Sequence, residues 1–122
     1  MARILVIDDD DQIRTALEHV LQLEGHEVIS AANGREGIKV FEERGADLII
    51  TDIIMPDKEG LETIMELKTR YPDAKIVAIS GGGCIEPGSY LQLAAKMGAS
   101  HTLIKPFERE DLLEAVRNLL AK

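Results

Sequence analysis

Four acidic residues in succession, Asp8-Asp9-Asp10-Asp11, follow directly on the apolar run Ile4-Leu5-Val6-Ile7, and a further aspartate, Asp52, follows Leu48-Ile49-Ile50-Thr51. Two other residues with useful chemistry close apolar runs elsewhere: Ser80 after Ile76 to Ile79, and Lys105 after Leu103-Ile104. If those runs are parallel strands, carboxylates, a hydroxyl and an ammonium converge beyond the carboxyl ends of one sheet, where ligands of open α/β folds bind. Clustered carboxylates repel and raise one another's proton affinity unless positive charge is supplied. A hard cation answers that need. Magnesium prefers oxygen ligands and is usually held by few carboxylates together with phosphate oxygens, so the implied chemistry is metal-dependent handling of phosphate. The plain alternative for Asp8 to Asp11 is a solvated helix start, where negative charge is favourable in any case. Their coincidence with Asp52 and Lys105 at other strand ends favours a site.

The elements that must position these residues can be read from the pattern. Short β-branched runs alternate with stretches of helical period from one end to the other, which indicates an α/β class. The runs Ile4 to Ile7, Val28 to Ala31, Leu48 to Ile50, Ile76 to Ile79 and Leu103-Ile104 are mostly unbroken, as expected of parallel strands covered on both faces. Between them, Ile13, Leu17, Val20 and Leu21 mark a first helix stopped by Gly25. Asn33 caps a second helix carrying Ile38 and Phe41 and ending near Gly45. Leu61, Ile64, Met65 and Lys68 mark a third that must finish before Tyr71-Pro72. A fourth contains Leu91, Ala94 and Ala95 before Gly98, and the last places Leu112, Val116, Leu119 and Leu120 on one stripe. Parallel strands need right-handed crossovers that put helices on both faces, so the expected architecture is a doubly wound sheet.

Length and composition agree with one domain of this kind. At 122 residues the chain is near the commonest domain size, and 45% apolar with 30% charged residues excludes collagen-like, low-complexity and strongly disordered classes. The net charge of −8 opposes loose binding to nucleic acid or anionic membrane, and four of those excess charges lie in the Asp8 to Asp11 run. One cysteine, Cys84, excludes an internal disulfide framework, and no apolar run approaches the roughly 20 residues that cross a bilayer. The expected location is cytoplasmic. His19, His26 and His101 lack zinc-ligand spacing and are expected to be surface or satisfied residues. Gly81-Gly82-Gly83 lacks the lysine of a P-loop, and Asp10 and Asp11 are expected to begin the first helix rather than bind metal.

Taken in order, Ile4-Leu5-Val6-Ile7-Asp8-Asp9-Asp10, Thr51-Asp52-Ile53-Ile54-Met55-Pro56 with Gly60, Ile79-Ser80-Gly81 and Ile104-Lys105-Pro106-Phe107 resemble the receiver domain of two-component response regulators. The resemblance spans essentially the whole chain, with separations of 43, 28 and 25 residues from Asp9 to Asp52, to Ser80 and to Lys105. It implies a (βα)5 flavodoxin-like fold with a five-stranded parallel sheet of order 2-1-3-4-5 and a single receiver domain over residues 1–122, without an effector domain. It implies that Asp52 is the phosphoacceptor, taking a phosphoryl group from the phosphohistidine of a sensor histidine kinase or phosphotransfer protein. The cofactor implied is Mg2+, with Mn2+ as substitute: Asp9 and Asp52 as direct ligands, the main-chain carbonyl of Ile54 as a third, and Asp8 acting through water. Lys105 would pair with Asp52 before transfer and with a phosphoryl oxygen afterwards. Ser80 would donate its hydroxyl to another phosphoryl oxygen, drawing the loop after the fourth strand inward and switching the fourth-helix face. The Lys105-Pro106 bond is cis in the family. Self-phosphorylation and self-dephosphorylation are expected, rather than turnover of a separate substrate. The partners implied are the kinase and a downstream protein target, without nucleic-acid or membrane contact, for a monomer or a phosphorylation-dependent dimer.

The family's switch usually includes an aromatic residue three positions before the lysine; here that position is Thr102. His101 is adjacent but points to the opposite face by strand alternation. The glycine-rich stretch 81–88 suggests instead that ordering of the loop around Ser80, with Tyr90, carries the switch. Two other functions fit parts of the pattern: a magnesium-dependent phosphatase or phosphotransferase enzyme, which the lack of a cap or substrate domain argues against, and a non-phosphorylated scaffold, which the complete set Asp8, Asp9, Asp52, Ser80 and Lys105 argues against.

Overall fold

The computed structural model describes residues 2–53, 60–80, 96, 98–105 and 107–121, without the side chains of residues 60, 61 and 80. The order is β1 (Arg3–Ile7), α1 (Asp11–Leu23), β2 (Glu27–Ala31), α2 (Gly34–Arg44), β3 (Leu48–Asp52), α3 (Gly60–Arg70), β4 (Ile76–Ser80), β5 (His101–Ile104) and α4 (Arg109–Leu120). All pairings are parallel and the sheet order is β2-β1-β3-β4-β5. The helix expected around Leu91 to Ala95 lies outside the described residues, so α4 here is the last helix.

Alternation along the strands divides the core in two. Ile4, Val6, Leu48, Ile50, Val77, Ile79 and Leu103 pack with Leu17 and Leu21 of α1 and with Leu112, Val116 and Leu119 of α4. On the other face Leu5, Ile7, Ile29, Ile49, Ile76 and Ala78 meet Ile38 of α2 and Ile64 and Leu67 of α3. Strands buried this way explain the unbroken apolar runs. On the edge strand β5, Leu103 is buried and Ile104 is 50% exposed.

The helix signals are realised as hydrogen bonds. Asp10 caps α1 by accepting from the main-chain N–H groups of Gln12 and Ile13, and Asn33 caps α2 by accepting from that of Glu36 at 2.8 Å. Gly25 and Gly45 follow α1 and α2 at φ +89° and +71°, values that glycine adopts without steric cost. α3 contains Leu61, Ile64, Met65 and Lys68 and ends before Tyr71-Pro72, as expected. Met65 is exposed, whereas Thr63, Ile64 and Leu67 are buried, so the inward stripe runs on the other side of Ile64 from Met65. Lys68 is half-buried and donates from Nζ to the carbonyls of Pro72 and Ala74, tying down the chain after the helix.

Gly37 brings α2 against β1 immediately before the acidic run. A Cβ there would lie 2.4 Å from Ile7 Cδ1 and 2.7 Å from Cγ1, and Ile7 is fully buried. Gly37→Ala gains about 1 kcal/mol of helix propensity but overpacks the core at a cost of about 1–3 kcal/mol. The expected result is a net loss of about 1 kcal/mol in urea unfolding; stability equal to or above the wild type would show that Ile7 yields.

Candidate functional site

The strand order reverses between β1 and β3, and the crevice at such a switch point lies outside the carboxyl ends of those strands. Asp8 and Asp9 leave β1 there and Asp52 ends β3. The last β1 to β3 pair is Ile7 with Thr51, so Asp8 and Asp52 stand one step beyond it. One carboxylate oxygen from each of Asp8, Asp9 and Asp52 lies within 4.8 Å of the others, the one such acidic, histidine or cysteine group among the described residues.

Lys105, just beyond β5, closes the far side. Its Nζ donates to Asp52 Oδ2 at 3.1 Å and to Asp8 Oδ2 at 3.4 Å. Lys105 therefore bridges two of the three clustered carboxylates, Asp8 and Asp52. Asp8 is 1% exposed and bears most of the cost: burial pushes its carboxyl above the ordinary value, the nearby Asp52 charge adds to this, and the Asp10 N–H and Lys105 only partly offset it. Burial alone would lower the Lys105 ammonium, but the charges of Asp52 and Asp8 outweigh it and hold the group above the ordinary lysine value. A carboxyl raised in the folded state favours folding below the ordinary aspartate range, and that contribution is lost as pH rises through its folded value. The Lys105 contribution is present at neutral pH and is lost only on the alkaline side, as pH rises through its raised folded value. Three carboxylates with one oxygen each within 4.8 Å of the others are the donor set that a divalent hard cation takes.

Ser80 ends β4, in a strand where Asp52 pairs with Ile79, so its main chain borders the site; its side chain is not described. Ile54, Met55-Pro56, the glycine run with Cys84, Tyr90 and the Lys105-Pro106 bond lie outside the described residues, so the third metal ligand, the loop switch and the cis bond are not located. Thr102 pairs with Ala78 on the α3 side, and His101 pairs with Val77 on the opposite face, as alternation requires. Asp10 is occupied as the α1 cap and Asp11 forms an ion pair with Arg14. Of the histidines, His26 accepts from the Ala2 N–H at 3.3 Å, and His19 and His101 are exposed.

Two residues at the site were not singled out from sequence. Thr51 is fully buried and donates its hydroxyl to the Asp52 carbonyl at 3.0 Å. Arg14 donates from Nη1 to the Asp8 carbonyl at 2.7 Å. Once α1 is known to start at Asp11, its first turn aims a residue at position 14 back over the acidic run, which was the available signal for Arg14.

Residues 4–117 match the family model for the response regulator receiver domain. The chain is 32% identical over 117 residues to the chemotaxis protein CheY of Listeria monocytogenes, covering 95% of this chain and 96% of that one. It is 38% identical over 119 residues to the DNA-binding transcriptional regulator NtrC of Azospirillum brasilense, covering 98% of this chain but 24% of NtrC. Among solved structures, the response regulator TrrA of Thermotoga maritima in complex with Mg(2+)-BeF superposes with a TM-score of 0.86 at 37% identity, covering 98% of this chain and 99% of TrrA. With the acidic cluster and Lys105 at the switch point of a 2-1-3-4-5 sheet, these matches establish that the chain belongs to the response regulator receiver family of two-component signalling systems.

Proposed function

We propose that residues 1–122 act as one phosphoaccepting receiver domain in which Asp52 takes a phosphoryl group from the phosphohistidine of a sensor histidine kinase or phosphotransfer protein. The observation that carries this reading is the Lys105 ammonium held between Asp52 and Asp8 beside a third carboxylate. In the transfer, an Asp52 carboxylate oxygen forms a bond to phosphorus as the phosphorus–nitrogen bond of the donor breaks. The imidazole nitrogen leaves with that electron pair. An ionised carboxylate needs no general base, so the protein's task is to overcome repulsion between two anions. Lys105 does this from the chain itself, pairing with Asp52 beforehand and with a phosphoryl oxygen afterwards, while the Ser80 hydroxyl donates to another phosphoryl oxygen.

Asp9 and Asp52, with the Ile54 carbonyl, would hold Mg2+ directly and Asp8 would act through water; Mn2+ would substitute. When bound, the ion supplies positive charge against the developing charge on the phosphoryl oxygens. Self-phosphorylation from small donors and self-dephosphorylation by water follow from the same arrangement. The reading assigns the chain to the cytoplasm, with a downstream protein as its target. A separate phosphatase activity is not adopted, because the chain is a receiver of a signalling system rather than an enzyme with its own substrate. Incubation with acetyl phosphate or phosphoramidate and magnesium should add the mass of one phosphoryl group to the intact protein, and EDTA or Asp52→Ala should abolish the addition. Equal addition to Asp52→Ala would overturn the assignment.

A further inference from the structure

We infer that Arg14 is a positioning residue for the acidic cluster: its guanidinium clamps the Asp8-Asp9 peptide so that both carboxylates meet Asp52. The inference rests on the proposed magnesium-dependent receiver function. Besides the Asp10 cap, four hydrogen bonds hold the turn from β1 into α1. Asp8 N–H donates to the Ala31 carbonyl at 3.2 Å, and Asp10 N–H donates to Asp8 Oδ1 at 2.9 Å. Arg14 N–H donates to the Asp10 carbonyl at 2.9 Å, and Arg14 Nη1 donates to the Asp8 carbonyl at 2.7 Å. The last of these fixes the plane of the peptide that joins Asp8 to Asp9. Arg14 is itself held, 19% exposed, by the helix behind it and by its ion pair with Asp11. A planar fork with several donors can engage a carbonyl and a carboxylate at once, which an ammonium cannot do in the same geometry.

Charge and clamp predict opposite signs. A guanidinium beside a cation site repels the cation, so if Arg14 acted only as a charge its removal would tighten metal binding. If it holds the carboxylates in place, its removal loosens binding by about tenfold, the scale at which groups supporting metal ligands act.

The test is isothermal titration of the full chain with magnesium chloride near neutral pH for wild type, Arg14→Ala and Arg14→Lys, paired with amide hydrogen exchange before any metal is added. Arg14→Ala should bind magnesium about tenfold more weakly and Arg14→Lys should fall between the two. The Asp10 amide should exchange faster in Arg14→Ala without metal. Phosphorylation at limiting magnesium should fall with the affinity and recover as magnesium is raised, a split that a general loss of structure would not produce. Should Arg14→Ala not fold, Arg14→Lys carries the test, and wild-type affinity in it overturns the inference. Equal or tighter binding by a folded Arg14→Ala overturns the clamp alone. No magnesium binding by the wild type overturns the clamp and the functional reading beneath it.

Discussion

Replacing Lys105 by methionine should slow phosphorylation of Asp52 by about 10²- to 10³-fold, the loss typical of removing one preorganised donor from a site where negative charge accumulates. Lys105 Nζ lies 3.1 Å from Asp52 and 3.4 Å from Asp8, so its removal takes away an ammonium that bridges the two carboxylates. Methionine keeps most of the length and packing of the stem, which separates charge from volume. The defect should lie in the transfer step and persist at saturating phosphodonor and magnesium, measured as the rate of phosphoryl incorporation by intact mass. A rate within about threefold of wild type would place the positive charge that matters elsewhere.

Asp8→Asn should change two properties in opposite directions. In the metal-free protein it removes the carboxylate that burial and Asp52 disfavour, while leaving an amide oxygen able to accept from the Asp10 N–H, and Lys105 keeps Asp52 as partner. Neutral replacement relieves the burial of that charge and its repulsion by Asp52, so urea unfolding in EDTA should show a gain in stability at neutral pH. The gain should shrink on acidification, since protonating wild-type Asp8 achieves the same relief; as pH rises through the raised Asp8 value, wild type should weaken relative to the variant. With magnesium the order reverses. A site filled at a hundredfold excess over its dissociation constant stabilises by about 2.7 kcal/mol, and the variant should forfeit most of it. A metal-free Asp8→Asn less stable than wild type, or one with the full magnesium gain, would contradict this account of the cluster.

Residues that end buried strands were legible because two regularities combine: unbroken apolar runs mark parallel strands, and ligands sit at their carboxyl ends. Asp8, Asp9, Asp52 and Lys105 all follow from that step, and the structure brings them together. The caps were equally readable, since Asp10, Asn33, Gly25 and Gly45 act through local backbone bonds. Contacts set by how a helix is turned were harder. Met65 and Ile64 are adjacent apolar residues that a helix places about 100° apart, and only packing against the sheet decides which is buried. Arg14 escaped notice for a related reason: an arginine in a first turn usually faces solvent, and its reach to the Asp8 carbonyl depends on the angle at which α1 leaves β1. The burden on Asp8 was foreseen only as general repulsion. Its sharp difference in burial from the exposed Asp9 comes from the turn itself.

The central claim is that Asp52, among the clustered carboxylates, is the residue that accepts the phosphoryl group. Its most direct test is to phosphorylate the chain with acetyl phosphate and magnesium, reduce the acyl phosphate with borohydride, and map the reduced residue by peptide mass spectrometry. The account predicts homoserine at position 52 alone, dependent on both donor and magnesium. Reduction at Asp8 or Asp9, or a phosphoryl group that resists borohydride and maps to a histidine or serine, would contradict it.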